Sequence, residues 1–209
     1  MLERFIFNAE KQFEFLRLFL SAFLITVLVA FVNAYFLGGN FLFLVALTAL
    51  AFAYPIAKFT RYEDHIELLS HDTVYSLAKK FNRELLVYWC VFLAVTLAYL
   101  ITYPLLNDVA FQERFAEMAA QVSGAITQSS GGFSFILLTN LKVAGITAII
   151  SFISISGLVF VLFWNASILV HVIAQSTSLL QQFSGLLGYI GHGLLEVGGY
   201  VLIGIAASM

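Results

Sequence analysis

The sequence predicts an all-α, polytopic helical membrane protein with five to six transmembrane segments, its helices broken or re-entrant in the C-terminal third. Three observations carry this. Of the 209 residues, 61% are hydrophobic and only 11% charged, against about 45–50% and about 25% in soluble domains. Residues 18–57 and 143–195 contain no Asp, Glu, Lys or Arg, and about 20 apolar residues suffice for a helix to cross the hydrocarbon core. Phe occurs 22 times and Pro twice, which excludes a disordered chain or a collagen-like fibre.

Residues 1–17 read as a short amphipathic lead-in, with Phe5, Phe7, Phe13 and Phe15 set among charges. Glu3, Arg4, Glu10, Lys11 and Glu14 do not suit a secretory signal, and the apolar run behind them exceeds the usual 7–15-residue core. Residues 18–37 are therefore expected to stay as the first span. Gly38-Gly39-Asn40 supplies a tight turn, and the second span follows from Phe41 to Ala57 as an antiparallel neighbour, with Pro55 near its end. Residues 58–84 hold Lys58, Arg61, Lys79, Lys80 and Arg83. Ile66, Leu69, Tyr75, Leu77, Ala78 and Phe81 recur partly at helical spacing there, predicting an amphipathic helix against the membrane surface.

The third span is expected from Leu85 to Leu106, closed by Pro104. Residues 107–132 are polar, with Phe111, Phe115, Met118 and Val122 on one helical face and a flexible linker from Ser123 to Gly132. This segment contains one basic residue, Arg114, against three in residues 1–17 and five in 58–84. The positive-inside rule then puts the N-terminus and the 58–84 loop in the cytoplasm.

Residues 133–209 form the second part of a single integral membrane domain, after a three-span region over 1–132. The run from Phe133 to Gln175 would be about 65 Å long as one helix, twice the bilayer core. Ser154-Ile155-Ser156-Gly157 is the expected break, giving segments near 138–155 and 158–175 and a last span from about Leu186 to Ile205. Such short, interrupted segments often line binding sites. One long tilted helix is the alternative, leaving five spans and reversing the side on which the C-terminus emerges. The final Ala-Ser-Met lacks a charged flank, which suits a chain that continues beyond Met209.

Several function classes fall away on these grounds. A net charge of −2 gives no reason to expect nucleic acid, which usually requires a clustered basic face. The single cysteine, Cys90, allows no intrachain disulfide. No nucleophile elbow, P-loop or Cys-x-x-Cys is present, and Gly191-x-Gly193 follows no strand. His65 and His71, among Asp64, Glu67 and Asp72, match no ligand spacing and read as a solvated face. The many glycines of the last span, among them Gly185, Gly188, Gly198, Gly199 and Gly204, suit close helix packing and homo-oligomerisation.

Ionisable and amide side chains in the apolar C-terminal third define the candidate site. A charge at the bilayer centre costs at least about 2.5–3.5 kcal/mol on insertion scales. Glu196 lies near the middle of the last span, His192 one turn before it, and Lys142 is the sole basic residue of this third, with Asn140 close by and Asn165 and His171 beyond the break. One reading is a buried structural cluster of Asn140, Lys142, Asn165, His192 and Glu196, built on a Lys142–Glu196 ion pair. A second is an ion- or proton-handling site, with His192 relaying protons and Glu196 titrating. A third is a metal site on His192, Glu196 and His171, since catalytic zinc takes three protein ligands. Substrate or lipid headgroup binding is a fourth. No cofactor is indicated.

Three pieces in order, Asn140-Leu141-Lys142-Val143, Trp164-Asn165-Ala166-Ser167 and His192-Gly193-Leu194-Leu195-Glu196, resemble the membrane core of the stage II sporulation protein M family, particularly its archaeal branch. The specific match covers about residues 133–208. Gly191 stands where family members usually have Pro, and Thr139-Asn140 where they often have a doubled Asn. The resemblance implies a non-catalytic integral membrane scaffold, since bacterial members assemble with cell-wall hydrolases as membrane components. It also implies partners among membrane or envelope proteins beside the lipid bilayer itself, and residence in the cell membrane.

Overall fold

The computed structural model describes residues 13–69, 74–105, 132–174 and 196–207, and among these the chain is helical with no strand. The elements are α1 (Phe13–Phe36), α2 (Phe41–Leu69), α3 (Val74–Thr102) with a short 3-10 turn (Tyr103–Leu105), α4 (Gly132–Ile153), α5 (Ile155–Ala174) and α6 (Glu196–Ala207). Three stretches are long and apolar enough to cross a membrane: Phe15–Phe36, Phe41–Thr60 and Asn82–Leu105. Shorter apolar helices run over Asn140–Ile153, Gly157–His171 and Glu196–Ala207. The many β-branched residues of α1 do not prevent helix, because in lipid a backbone must satisfy its own polar groups.

The turn between α1 and α2 forms as its residues dictate. Gly38 and Gly39 take φ of 72° and 73°, the left-handed region that side chains disfavour. The Asn33 carbonyl accepts the amides of Leu37 and Gly39, while the Asn33 side-chain amide donates to the Asn40 carbonyl at 3.0 Å. Asn40 caps α2, its Oδ1 accepting the Phe43 amide at 3.2 Å.

Two expected boundaries shift. Pro55 lies inside α2, which continues to Leu69, and α3 already begins at Val74. Residues 58–69 and 74–84 therefore extend the second and third helices, in place of a separate amphipathic helix along the membrane surface. A proline removes one backbone donor and need not end a membrane helix whose neighbours compensate. The expected break at Ser154 does occur. Ser154 donates to the Ile150 carbonyl and accepts from Gly157, ending one ladder and starting the next. A Cβ added at Gly157 would overlap the Ile150 side chain, so the two helices meet closely at this break.

Packing centres on α3, which lies against α1 and α5; α2 packs on α5 and α1, and α4 on α5. Small residues let the backbones approach, with Ala22 and Ala30 of α1, Ala94 and Ala98 of α3 and Ala166 of α5 all buried. Aromatic pairs fill the wider gaps. Phe52 meets Phe163 edge-on at 5.5 Å and Phe41 meets Tyr99 at 5.8 Å. Gly204 of α6 faces Leu158 of α5, and Gly198 faces Trp89 of α3. The outer faces are apolar too, with Leu24, Leu28 and Phe36 of α1 and Ile149 and Phe152 of α4 all exposed. In water such a surface would be an aggregation liability; hydrocarbon is the solvent it suits.

Candidate functional site

The polar side chains within the bundle mostly answer to their own helix. Hydroxyls of Thr26, Thr48, Thr96, Thr102 and Thr147 donate to the carbonyl four residues earlier at 2.7–2.8 Å. Asn165 does the same, its Nδ2 donating to the Val161 carbonyl at 2.8 Å. A hydroxyl or amide turned back in this way is satisfied without help from a neighbour.

The expected five-residue cluster is not drawn together by bonds among the described residues. Asn140 is half-buried on α4, and Lys142 points outward from the same helix. Asn165 is buried on α5. Glu196 is half-buried on α6 and accepts the Tyr200 hydroxyl at 2.7 Å, one helical turn away. No hydrogen bond or ion pair joins any two of these four: Lys142 is exposed on α4, and the anticipated Lys142–Glu196 pair is not among the bonds of the described residues. His192 lies outside the described residues, as do the lead-in over 1–12, the segment from Leu106 to Gly131 and the glycines from Gly185 to Gly193.

His171, the third candidate ligand, lies on α5. It is buried near the end of α5 at 1% exposure, with Nδ1 3.1 Å from the Tyr103 hydroxyl and the two rings 6.1 Å apart. This bond couples the last turn of α5 to the 3-10 turn that ends α3; its donor is set by the imidazole tautomer. No group of three metal-ligating side chains occurs among the described residues. A second cross-helix contact joins the middle of α3 to the start of α1, where the Cys90 thiol donates to the Phe15 carbonyl at 3.3 Å.

Sequence reasoning missed Glu84. It was expected in the cytoplasmic loop, one residue before the third span, yet it is fully buried on α3 at 0% exposure. Tyr88, also fully buried, follows one turn later on the same face. The signal was present as a repeated spacing: Glu84 and Tyr88 stand four apart, as Glu196 and Tyr200 do. Tyr103 was missed as well, because its partner is 68 residues away and no local pattern announces such a pair.

No protein-family model matches this chain, and neither does any curated protein or solved structure.

Proposed function

We propose that this chain is a non-catalytic membrane scaffold or complex component of the stage II sporulation protein M type, multi-pass, with its N-terminal side in the cytoplasm. One observation carries the reading. The polar groups of the bundle are bonded mostly within single helices, with Thr26, Thr48, Thr96, Thr102, Thr147 and Asn165 each returned to a carbonyl one turn earlier, so their bonding is taken up by the fold. Substrate handling needs polar groups that converge on a shared space. The ordered pieces at Asn140, Asn165 and Glu196 add the resemblance, and the basic residues at 58–84 support the orientation.

The competing reading is an ion- or proton-coupled transporter component working through Lys142, His192 and Glu196. It is favoured by the placement of Glu196 within an apolar helix, where an ionisable group is a functional candidate by default. Proton flux into liposomes containing the purified protein separates the two. The scaffold reading expects an imposed pH gradient to decay no faster than in protein-free liposomes. Faster decay that disappears in Glu196→Gln would overturn it in favour of transport. Metal content per protomer, measured on wild type and His192→Ala, adds a second arm: stoichiometric metal lost in the variant would also overturn the scaffold reading.

A further inference from the structure

Helix α4 has two unlike faces. Thr147 and Ser151 are buried on the helix whose neighbour in the bundle is α5. Leu138, Leu141, Ile146, Ile149, Phe152 and Ile153 are exposed, and positions 138, 142, 145, 149 and 152 follow at three- and four-residue steps along the middle of one continuous stripe. Within that stripe lie two residues a purely lipid-facing surface has no use for. Lys142 is exposed at the middle of the helix, and it makes no hydrogen bond or ion pair among the described residues. Gly145, three residues on, is also exposed, and a Cβ built there meets nothing within 4 Å.

A helix of this length spans about 33 Å, so a residue at its middle lies about 15 Å from either end. A lysine near a helix end can extend its ammonium to the interface; from mid-length the four-carbon stem falls short. An ammonium at that depth in hydrocarbon is strongly disfavoured, and a carboxylate brought to the same level neutralises it in a medium of low dielectric, where attraction is strong. Anionic headgroups stay at the interface and do not reach that level. A second copy of this chain is disfavoured on symmetry. Two copies inserted with the same orientation and related by a two-fold axis along the membrane normal would set α4 against α4 in parallel, with Lys142 facing Lys142.

We propose that the Lys142–Gly145 face of α4 is a docking surface for a membrane-spanning helix of another protein, one that carries an Asp or Glu at its midpoint. The carboxylate pairs with Lys142, and the flat surface at Gly145 lets the two backbones approach closely. This rests on the scaffold reading above and supplies the chemistry of its partner.

The test uses synthetic transmembrane peptides in place of the natural partner. The purified full chain and a fluorescent Leu/Ala host helix bearing one central Glu are reconstituted in phosphatidylcholine vesicles, and association is read by energy transfer against the same peptide bearing Gln. The Glu peptide is expected to associate at least tenfold more tightly with wild type. That preference should vanish in Lys142→Leu and transfer to a central-Lys peptide in Lys142→Glu. Equal association of the Glu and Gln peptides with wild type would overturn the proposal, as would a preference surviving in Lys142→Leu. Loss of the preference on adding phosphatidylglycerol would overturn it in favour of a lipid ligand. Self-association of the chain that depends on Lys142 would overturn it in favour of a second copy. Proton flux in the same vesicles without peptide reports on the scaffold reading separately, so failure of either is distinguishable.

Discussion

Helices α3 and α4 are both long and apolar, yet they stand in opposite relations to the rest of the molecule. Helix α3 is enclosed by α1 and α5, with Ala94, Val95, Ala98 and Tyr99 fully buried, and it carries a carboxylate, Glu84, inside the protein. Helix α4 contacts mainly α5 and carries its charge, Lys142, on the outside. Apolar content does not distinguish them, since lipid and protein interior are equally welcoming to Leu and Ile. The placement of small and polar residues does. On α3, buried alanines and tyrosines, Tyr88, Ala94, Ala98 and Tyr99, suit neighbours of fixed shape, whereas the open face of α4 is lined mostly by large apolar residues around Lys142 and Gly145.

The largest test of this contrast is truncation of one aromatic from each helix. Tyr99→Ala removes a buried ring packed edge-on against Phe41, and should cost about 3–5 kcal/mol in unfolding measured in detergent micelles. Phe152→Ala removes a ring that is 80% exposed and should shift stability by no more than about 0.5 kcal/mol. Similar losses from both would erase the distinction between an enclosed and a peripheral helix.

A smaller effect sharpens the picture within α4 and its junction. Gly157→Ala forces a methyl into Ile150, 1.8 Å from its Cγ2 and 3.1 Å from its carbonyl oxygen, and should cost about 1–3 kcal/mol. Gly145→Ala meets open space and gains helix propensity, up to about 1 kcal/mol. Thermal unfolding of the two single variants should therefore move in opposite directions. A rise in stability for Gly157→Ala would show that the bend at Ser154 is not held by this contact. Smallest of all is Tyr103→Phe, which removes the hydroxyl facing His171 and should cost about 1 kcal/mol; a double-mutant cycle with His171→Ala should return a loss of that size as the coupling between the two side chains.

How much of this was legible beforehand depends on the range of the signal. Gly38-Gly39-Asn40 and Ser154 through Gly157 announced their turns because backbone conformation there is decided by adjacent residues. The helical class followed from the length of the uncharged runs. The apolar stretch of α2, Phe41–Thr60, ends close to the expected Ala57, but the helix itself was ended too early, since Pro55 and Lys58 read as a stop while the helix continues to Leu69. Glu84 was misassigned for a related reason: a charge at the edge of an apolar run looks solvated until the helices that enclose it are known. Of the candidate site, the apolar helix that carries Glu196 was legible, but the Tyr200 contact was not. Lys142 was the obvious cation by composition, whereas Tyr200, one turn along the same helix, is the bonded neighbour by geometry. Tyr103 and His171 meet only because α3 and α5 lie side by side, which no single stretch of sequence encodes.

The threonine hydroxyls that turn back to their own carbonyls bear on how this protein is made. A helix whose hydroxyls are already satisfied can leave the translocation machinery for the lipid without waiting for a later segment to be synthesised. Thr26, Thr48 and Thr96 give this independence to the first three spans. Tyr103 is the exception, since the imidazole it meets lies 68 residues further along the chain. The end of α3 therefore acquires its bonding partner only after α5 has been synthesised, so ordering there belongs to a late stage of biogenesis, after α1, α2 and the body of α3 are in place.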